Sequence, residues 1–224
     1  MFGFNLMDIV IGVPITLIAL TGHEFAHGWV SSKLGDPTPE RDGRLTLNPL
    51  AHLDVVGTIL MILTGFGWAK PVMVDPRYYK NRKRGMALTA IAGPLANLIM
   101  AFIAMLIFAV VLVVQVKLSG GIMPENASMA VQIVWKFAFL LAYRNLCFMV
   151  FNLIPIPPLD GSKVLGLFLP NRMYYRMLQY ERYAIIIIML LSISGAFNRI
   201  IGTGVNVVLT GMINLIDLII GLIL

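Results

Sequence analysis

Long apolar runs constrain this chain more than any other feature. Stretches near residues 10–22, 86–114, 129–151, 183–197 and 205–224 are rich in Leu, Ile, Val, Phe and Met. They approach or exceed the roughly 20 residues a helix needs to cross about 30 Å of hydrocarbon. A soluble core would sit inside a polar shell, yet only 12% of the 224 residues are charged and 58% are apolar. The chain therefore reads as an all-α polytopic membrane protein. It forms one integral-membrane domain over residues 1–224, with a core at about 8–165 and C-terminal helices at about 180–224. The first apolar run has neither a basic start nor a small-residue cleavage site, so it is expected to stay as a helix rather than leave as a signal peptide.

Between these runs the polar loops set the orientation. Residues 1–32 carry no Lys or Arg and 117–128 carry only Lys117, while 70–84 carry six and 172–182 carry three. Basic loops stay on the cytoplasmic side. Leu53 to Phe66 is apolar but short and bounded by Gly65 and Gly67, which predicts a re-entrant segment rather than a crossing. That choice puts residues 35–85 and 152–182 on one side and leaves five crossings; a crossing at 53–66 would make six. The following GWAKPVMV, residues 67–74, is β-prone and interrupted by Pro71, and predicts a small membrane-associated edge strand or hairpin. Trp68, Ala69, Lys70, Pro71 and Val72 are its candidate contacts for an extended peptide. The excess of 17 Lys and Arg over 11 Asp and Glu fits membrane orientation and implies no nucleic-acid partner. The lone Cys147 lies in an apolar helix and reads as a packed small hydrophobe.

One polar cluster interrupts the first helix. His23, Glu24 and His27 read H-E-F-A-H, and the i, i+4 spacing stacks both imidazoles on one face. Ionisable groups in a span are costly and need a shared partner such as a metal ion. Glu24, turned about 100° from His23, is placed to act as general base toward an attacking water. Catalytic zinc keeps three protein ligands and an open position, so a third ligand must come from elsewhere. Asp160 is the candidate. It lies in FNLIPIPPLDG, residues 151–161, where Pro155, Pro157 and Pro158 break a helix, and irregular backbone at membrane depth lines a cavity. His52 reads as an outer-sphere donor, an alternative ligand, a regulatory residue or a plain interfacial histidine. Asn152 is a candidate donor to a developing oxyanion. Gly93 and Asn97 are placed to admit a close backbone approach and to donate a hydrogen bond, while small-residue helix packing explains Gly93 equally well.

HEFAH on the first helix, GPLAN in the third apolar segment and NLIPIPPLDG after the next together resemble the site-2 protease family of intramembrane metalloproteases. GRLTLNP, His52-Leu-Asp54 and GWAKPV resemble its short prokaryotic branch, and the resemblance covers roughly residues 10–165. It implies a three-helix core at 8–34, 86–116 and 129–160. It also implies one zinc ion per chain held by His23, His27 and Asp160, Glu24 as the base, and Asn152 near the reacting carbonyl. The implied substrate is a transmembrane protein or peptide, cut in a multi-pass cell-membrane protein with its site toward the cytoplasm. Unlike many members, the sequence shows no helix ahead of the one carrying HEFAH and no inserted substrate-selecting domain, so selection by such a domain is not expected here. Two other readings share the motif. A zinc-binding transporter or scaffold would not need Glu24, and a prenyl-protein endoprotease would need a glutamate as third ligand. Glu181, the only glutamate after residue 126, sits beside Arg182 and suits an interface instead.

Overall fold

The computed structural model describes residues 6–58, 69–179, 183, 190 and 194–223. The described residues are overwhelmingly helical: α1 (Leu6–Lys33), α2 (Arg82–Leu118), α3 (Met129–Leu153), α4 (Asp160–Gly166), α5 (Asn171–Gln179) and α6 (Ala196–Ile223). Three of them, within Arg82–Leu118, Met129–Leu153 and Phe197–Gly221, are long and apolar enough to cross a membrane. α2 packs along α3 and α1, and α6 covers α3.

α2 shows why this is a membrane fold. Its buried ridge runs every fourth residue through Gly85, Thr89, Gly93, Asn97, Ala101, Met105 and Ala109. Its opposite face exposes Leu88, Leu95, Ile99, Ile103, Ile107 and Val114. Small and polar residues inside with large apolar ones outside would be inverted in water. In lipid this arrangement gives close helix packing and an apolar solvent-facing side. Ala101, Ala104 and Met105 meet Ala142, Leu146 and Met149 of α3 and Val205, Met212 and Ile216 of α6 in the central core.

Two boundaries differ from the expected ones. α2 starts at Arg82 rather than 86, because the Asn81 side chain accepts from the Arg84 amide and caps the helix. The last apolar runs were expected as 183–197 and 205–224, but α6 already begins at Ala196, after Gly195 turns the chain at φ +72°. Most of the first of those runs lies outside the described residues.

The small β element is also reduced. Among the described residues, 69–74 forms one antiparallel bridge, Leu53 to Ala69, and no strand. Pro71 has no amide to give, and the Val72 amide goes to a side chain instead of a neighbouring strand. Residues 59–66 of the expected re-entrant segment, and Trp68, lie outside the described residues.

Polar contacts tie the loops to the helix ends. The buried Asp36 carboxylate accepts from the Thr38 amide at 2.9 Å, the Asp75 amide at 2.7 Å and the Ser31 hydroxyl at 2.7 Å. Ser31 has thereby committed its proton, so the Tyr79 hydroxyl donates to it at 2.7 Å, and Thr89 donates to Tyr79 at 3.1 Å. The Tyr79 ring lies on Gly85, where any Cβ would fall 2.3 Å from it.

Candidate metal centre

The i, i+4 spacing in α1 brings the His23 and His27 rings together at 4.5 Å between centroids, edge to face. Gly93 makes room for both: a Cβ there would sit 2.5 Å from His23 Cε1 and 2.6 Å from His27 Nε2. Of the two readings open for Gly93, close approach holds, and what approaches is a pair of imidazoles.

Each ring is oriented from behind. His27 Nδ1 lies 2.7 Å from the Thr89 carbonyl oxygen, which can only accept, so Nδ1 carries the proton. His23 Nδ1 lies 2.7 Å from Asn97 Oδ1. The Asn97 amide nitrogen is committed to the Ala19 carbonyl at 3.1 Å and Asn145 Oδ1 at 2.8 Å, so Oδ1 faces the ring and His23 Nδ1 also donates. Asn145 donates in turn to the Leu141 carbonyl of its own helix at 2.8 Å. Both Nε2 atoms are left with lone pairs pointing the same way.

Asp160 meets those lone pairs. Its Oδ2 lies 3.1 Å from His23 Nε2 and 3.0 Å from His27 Nε2, and the two nitrogens are 2.9 Å apart. Three acceptors converge in a near-equilateral triangle, buried among apolar helices. His23, His27 and Asp160 would together hold a divalent cation, which would satisfy all three acceptors at once. The donor set fits zinc on chemistry alone: two neutral imidazoles, each with its outer N–H hydrogen-bonded, and one carboxylate. Asp160 opens α4 after the irregular stretch 154–159 folds α4 back against the end of α3. Gly161 permits that fold, since a Cβ there would lie 2.2 Å from the Leu153 carbonyl oxygen. Lys163 Nζ holds the other Asp160 oxygen at 3.2 Å, keeping Oδ2 free for the triangle.

These features find their counterpart in known sequences. The profile of Peptidase family M50 matches residues 12–196. The chain belongs to this family. YwhC of Bacillus subtilis (strain 168), provisionally named a zinc metalloprotease, is 40% identical over 80% of this chain and 79% of its own length. Rip2 of Mycolicibacterium smegmatis, given the same provisional description, is 26% identical over 82% of this chain and 66% of its own. Rip2 of Mycobacterium tuberculosis (strain H37Rv) is 27% identical over 81% and 66%. No solved structure matches. As an M50 member the chain is a zinc metallopeptidase of the site-2 protease family.

In this M50 chain a cleft of about 360 Å³ opens at the triangle and is lined by Glu24, Val72, Phe148, Asn152 and Lys163, among others. The half-buried Glu24 accepts the Val72 amide on Oε2 at 2.9 Å. The segment carrying Val72 presses on α1 at Gly28, where a Cβ would be 3.3 Å from the Val72 side chain. Asn152 spends one amide proton on the Phe148 carbonyl at 3.0 Å and faces the cleft beside Phe151. Ala69 and Pro71 reach the cleft, while Lys70 is exposed. His52 stands apart from the triangle: it is 1% exposed, with Nε2 on the Thr46 carbonyl at 2.9 Å.

The sequence reading missed Thr89, Asn145 and Lys163. A signal existed for Asn145, a polar residue in an otherwise apolar span. None existed for Thr89, which acts through its backbone carbonyl.

Proposed function

We propose that the protein is an intramembrane protease that cuts peptide bonds within or near transmembrane segments, with its active site open to the cytoplasm. In this reading His23, His27 and Asp160 hold the zinc and Glu24 is the general base. One observation carries the proposal: three converging lone pairs lie at the wall of a cleft that also holds a carboxylate not spent on the triangle. When bound, zinc supplies polarisation of the scissile carbonyl and a lowered pKa for water. Glu24, held by the Val72 amide on one oxygen, uses the other to take the proton of the attacking water and then delivers it to the departing amine. Asn152 offers its second amide proton to the reacting carbonyl. The apolar helices around the cleft exclude bulk water except at its mouth. The expected five crossings place the basic loops and the cleft on the cytoplasmic side, which labelling of single cysteines at positions 80 and 122 reads directly.

Glu24→Gln is the primary test, on purified full-length protein with a model transmembrane segment. Cleavage should fall by about 10²–10⁴-fold with one zinc per chain retained. Equal cleavage by wild type and variant would remove the base assignment. A transporter or scaffold that merely binds zinc would show no cleavage in either form. The prenyl-protein endoprotease reading draws no support from the described residues, since the acid in the triangle is Asp160 and not a glutamate.

A substrate must be extended to expose its carbonyls, and the 69–74 segment supports that by pairing with it. The Lys70 and Val72 amides point inward, to the His52 carbonyl and Glu24. Next along the chain, the Met73 amide is the candidate outward donor. Met73→Pro should cut cleavage about tenfold or more, since misplacing a substrate by ~1 Å can cost 10²-fold, with zinc content unchanged. Full cleavage in that variant removes the edge role.

A further inference from the structure

His52 is buried, lies outside the metal triangle, and has one ring nitrogen without a partner among the described residues. Its Nε2 faces the Thr46 carbonyl oxygen at 2.9 Å, an acceptor, so Nε2 carries the proton and Nδ1 presents a lone pair. That Nδ1 is buried and, among the described residues, receives no hydrogen bond. A buried acceptor left unmet is costly, so a bound donor is favoured there.

Beside it lies a void of about 10 Å³, lined by His52, Thr21, Thr58 and Ala69 with apolar neighbours. This is close to the smallest space that holds a water, and a buried water makes about three hydrogen bonds. The residues that line it carry three such polar groups, His52 Nδ1 and the hydroxyls of Thr21 and Thr58. Thr58 donates its own proton to the Asp54 carbonyl at 2.6 Å and so keeps lone pairs for a donor. Thr21 is 4% exposed and sits on α1 two residues before His23.

We infer that His52 is a positioning residue: through one bound water it ties α1 at Thr21 to the loop that holds residues 69–72 against Glu24. The path is continuous. The His52 carbonyl accepts the Lys70 amide at 2.9 Å, Leu53 bridges Ala69, and two residues on the Val72 amide reaches Glu24 at 2.9 Å. Thr21, the water and the His52 ring therefore set where the base is held relative to its own helix. The catalytic consequence rests on Glu24 being the base, whereas the positioning itself does not.

The test uses zinc-loaded full-length protein in detergent, with His52→Gln, Thr21→Val, Thr21→Ser and the His52→Gln/Thr21→Val double variant. Glutamine keeps a donor for Thr46 but removes the Nδ1 acceptor, and valine removes only the hydroxyl. Both should speed hydrogen exchange of the Lys70 and Val72 amides at least tenfold and lower kcat on the model transmembrane segment about tenfold, in line with slight misplacement of a reacting group. Zinc stoichiometry should not change. The double variant should be no worse than the worse single one, because both changes release the same water, and Thr21→Ser should match wild type. Unchanged exchange in both single variants, or additive losses, overturns the inference. Zinc loss in His52→Gln overturns it in favour of a ligand role. Should His52→Gln fail to fold, Thr21→Val against Thr21→Ser decides alone. A wild type that cleaves nothing defeats the proposed function and leaves the exchange result to judge the positioning.

Discussion

The two imidazoles of the centre sit one turn apart on one helix, yet the protein holds them by different means. His23 leans on a side-chain relay, Asn97 and then Asn145, that crosses three helices inside the apolar bundle. His27 leans on a backbone carbonyl, Thr89, whose side chain belongs to a hydroxyl chain running out through Tyr79 and Ser31 to Asp36 in the loops. The inner support is made of replaceable amides. The outer one survives any substitution that leaves α2 in place. Sensitivity to mutation should therefore be lopsided around a centre that looks symmetric.

Gly93→Ala attacks both rings at once and should have the largest effect. The new methyl must displace His23 and His27 together, so zinc affinity, measured against a competing chelator, should fall on the order of 100-fold or more. Retained affinity would mean that the rings have room to move. Asn97→Ala breaks only the inner support. A lost outer-sphere partner costs about 10–100-fold in metal affinity, and a value near wild type would show that His23 needs no amide behind it.

On the outer side the effects should register in stability. Burial raises the Asp36 pKa, but the hydrogen bonds from Thr38, the Asp75 amide and Ser31 outweigh it and hold the carboxyl below its ordinary value. A depressed folded pKa contributes stability that is present above the unfolded value of about 3.9 and lost as pH falls through the folded one. Asp36→Asn should thus lower thermal stability at neutral pH by about 1–3 kcal/mol and flatten its decline in acid. Parallel acid declines in variant and wild type would remove Asp36 from that role. Thr89→Val should do least. It deletes one hydroxyl contact worth about 1 kcal/mol and leaves the carbonyl, so zinc affinity should match wild type; a marked loss would break the comparison.

The same division explains what could be read from the sequence. HEFAH was legible because ligand spacing and helix period coincide within five residues. Asp160 was legible only indirectly, as a carboxylate behind three prolines in a chain that needed a third ligand. Asn97 was half legible: a hydrogen bond was foreseen, but not that its oxygen would face His23. Which residue of α2 lies behind which histidine depends on inter-helix register, set by the Gly85, Gly93 and Ala101 ridge and not by any local signal. The apolar runs located three long helices, within 82–118, 129–153 and 197–221, though not their ends. Of the edge strand the described residues keep one bridge, Leu53 to Ala69, because period and propensity do not reveal that a glutamate takes the Val72 amide.

The proline-broken stretch before α4 also governs when the centre can exist. During synthesis two imidazoles emerge early, and the carboxylate that completes them follows more than a hundred residues later, after α2 and α3 have been made. A chain ending before residue 160 carries only two of the three converging donors. On the proposed reading of the site, metal loading would then follow assembly of the bundle, an internal certificate that its helices have come together.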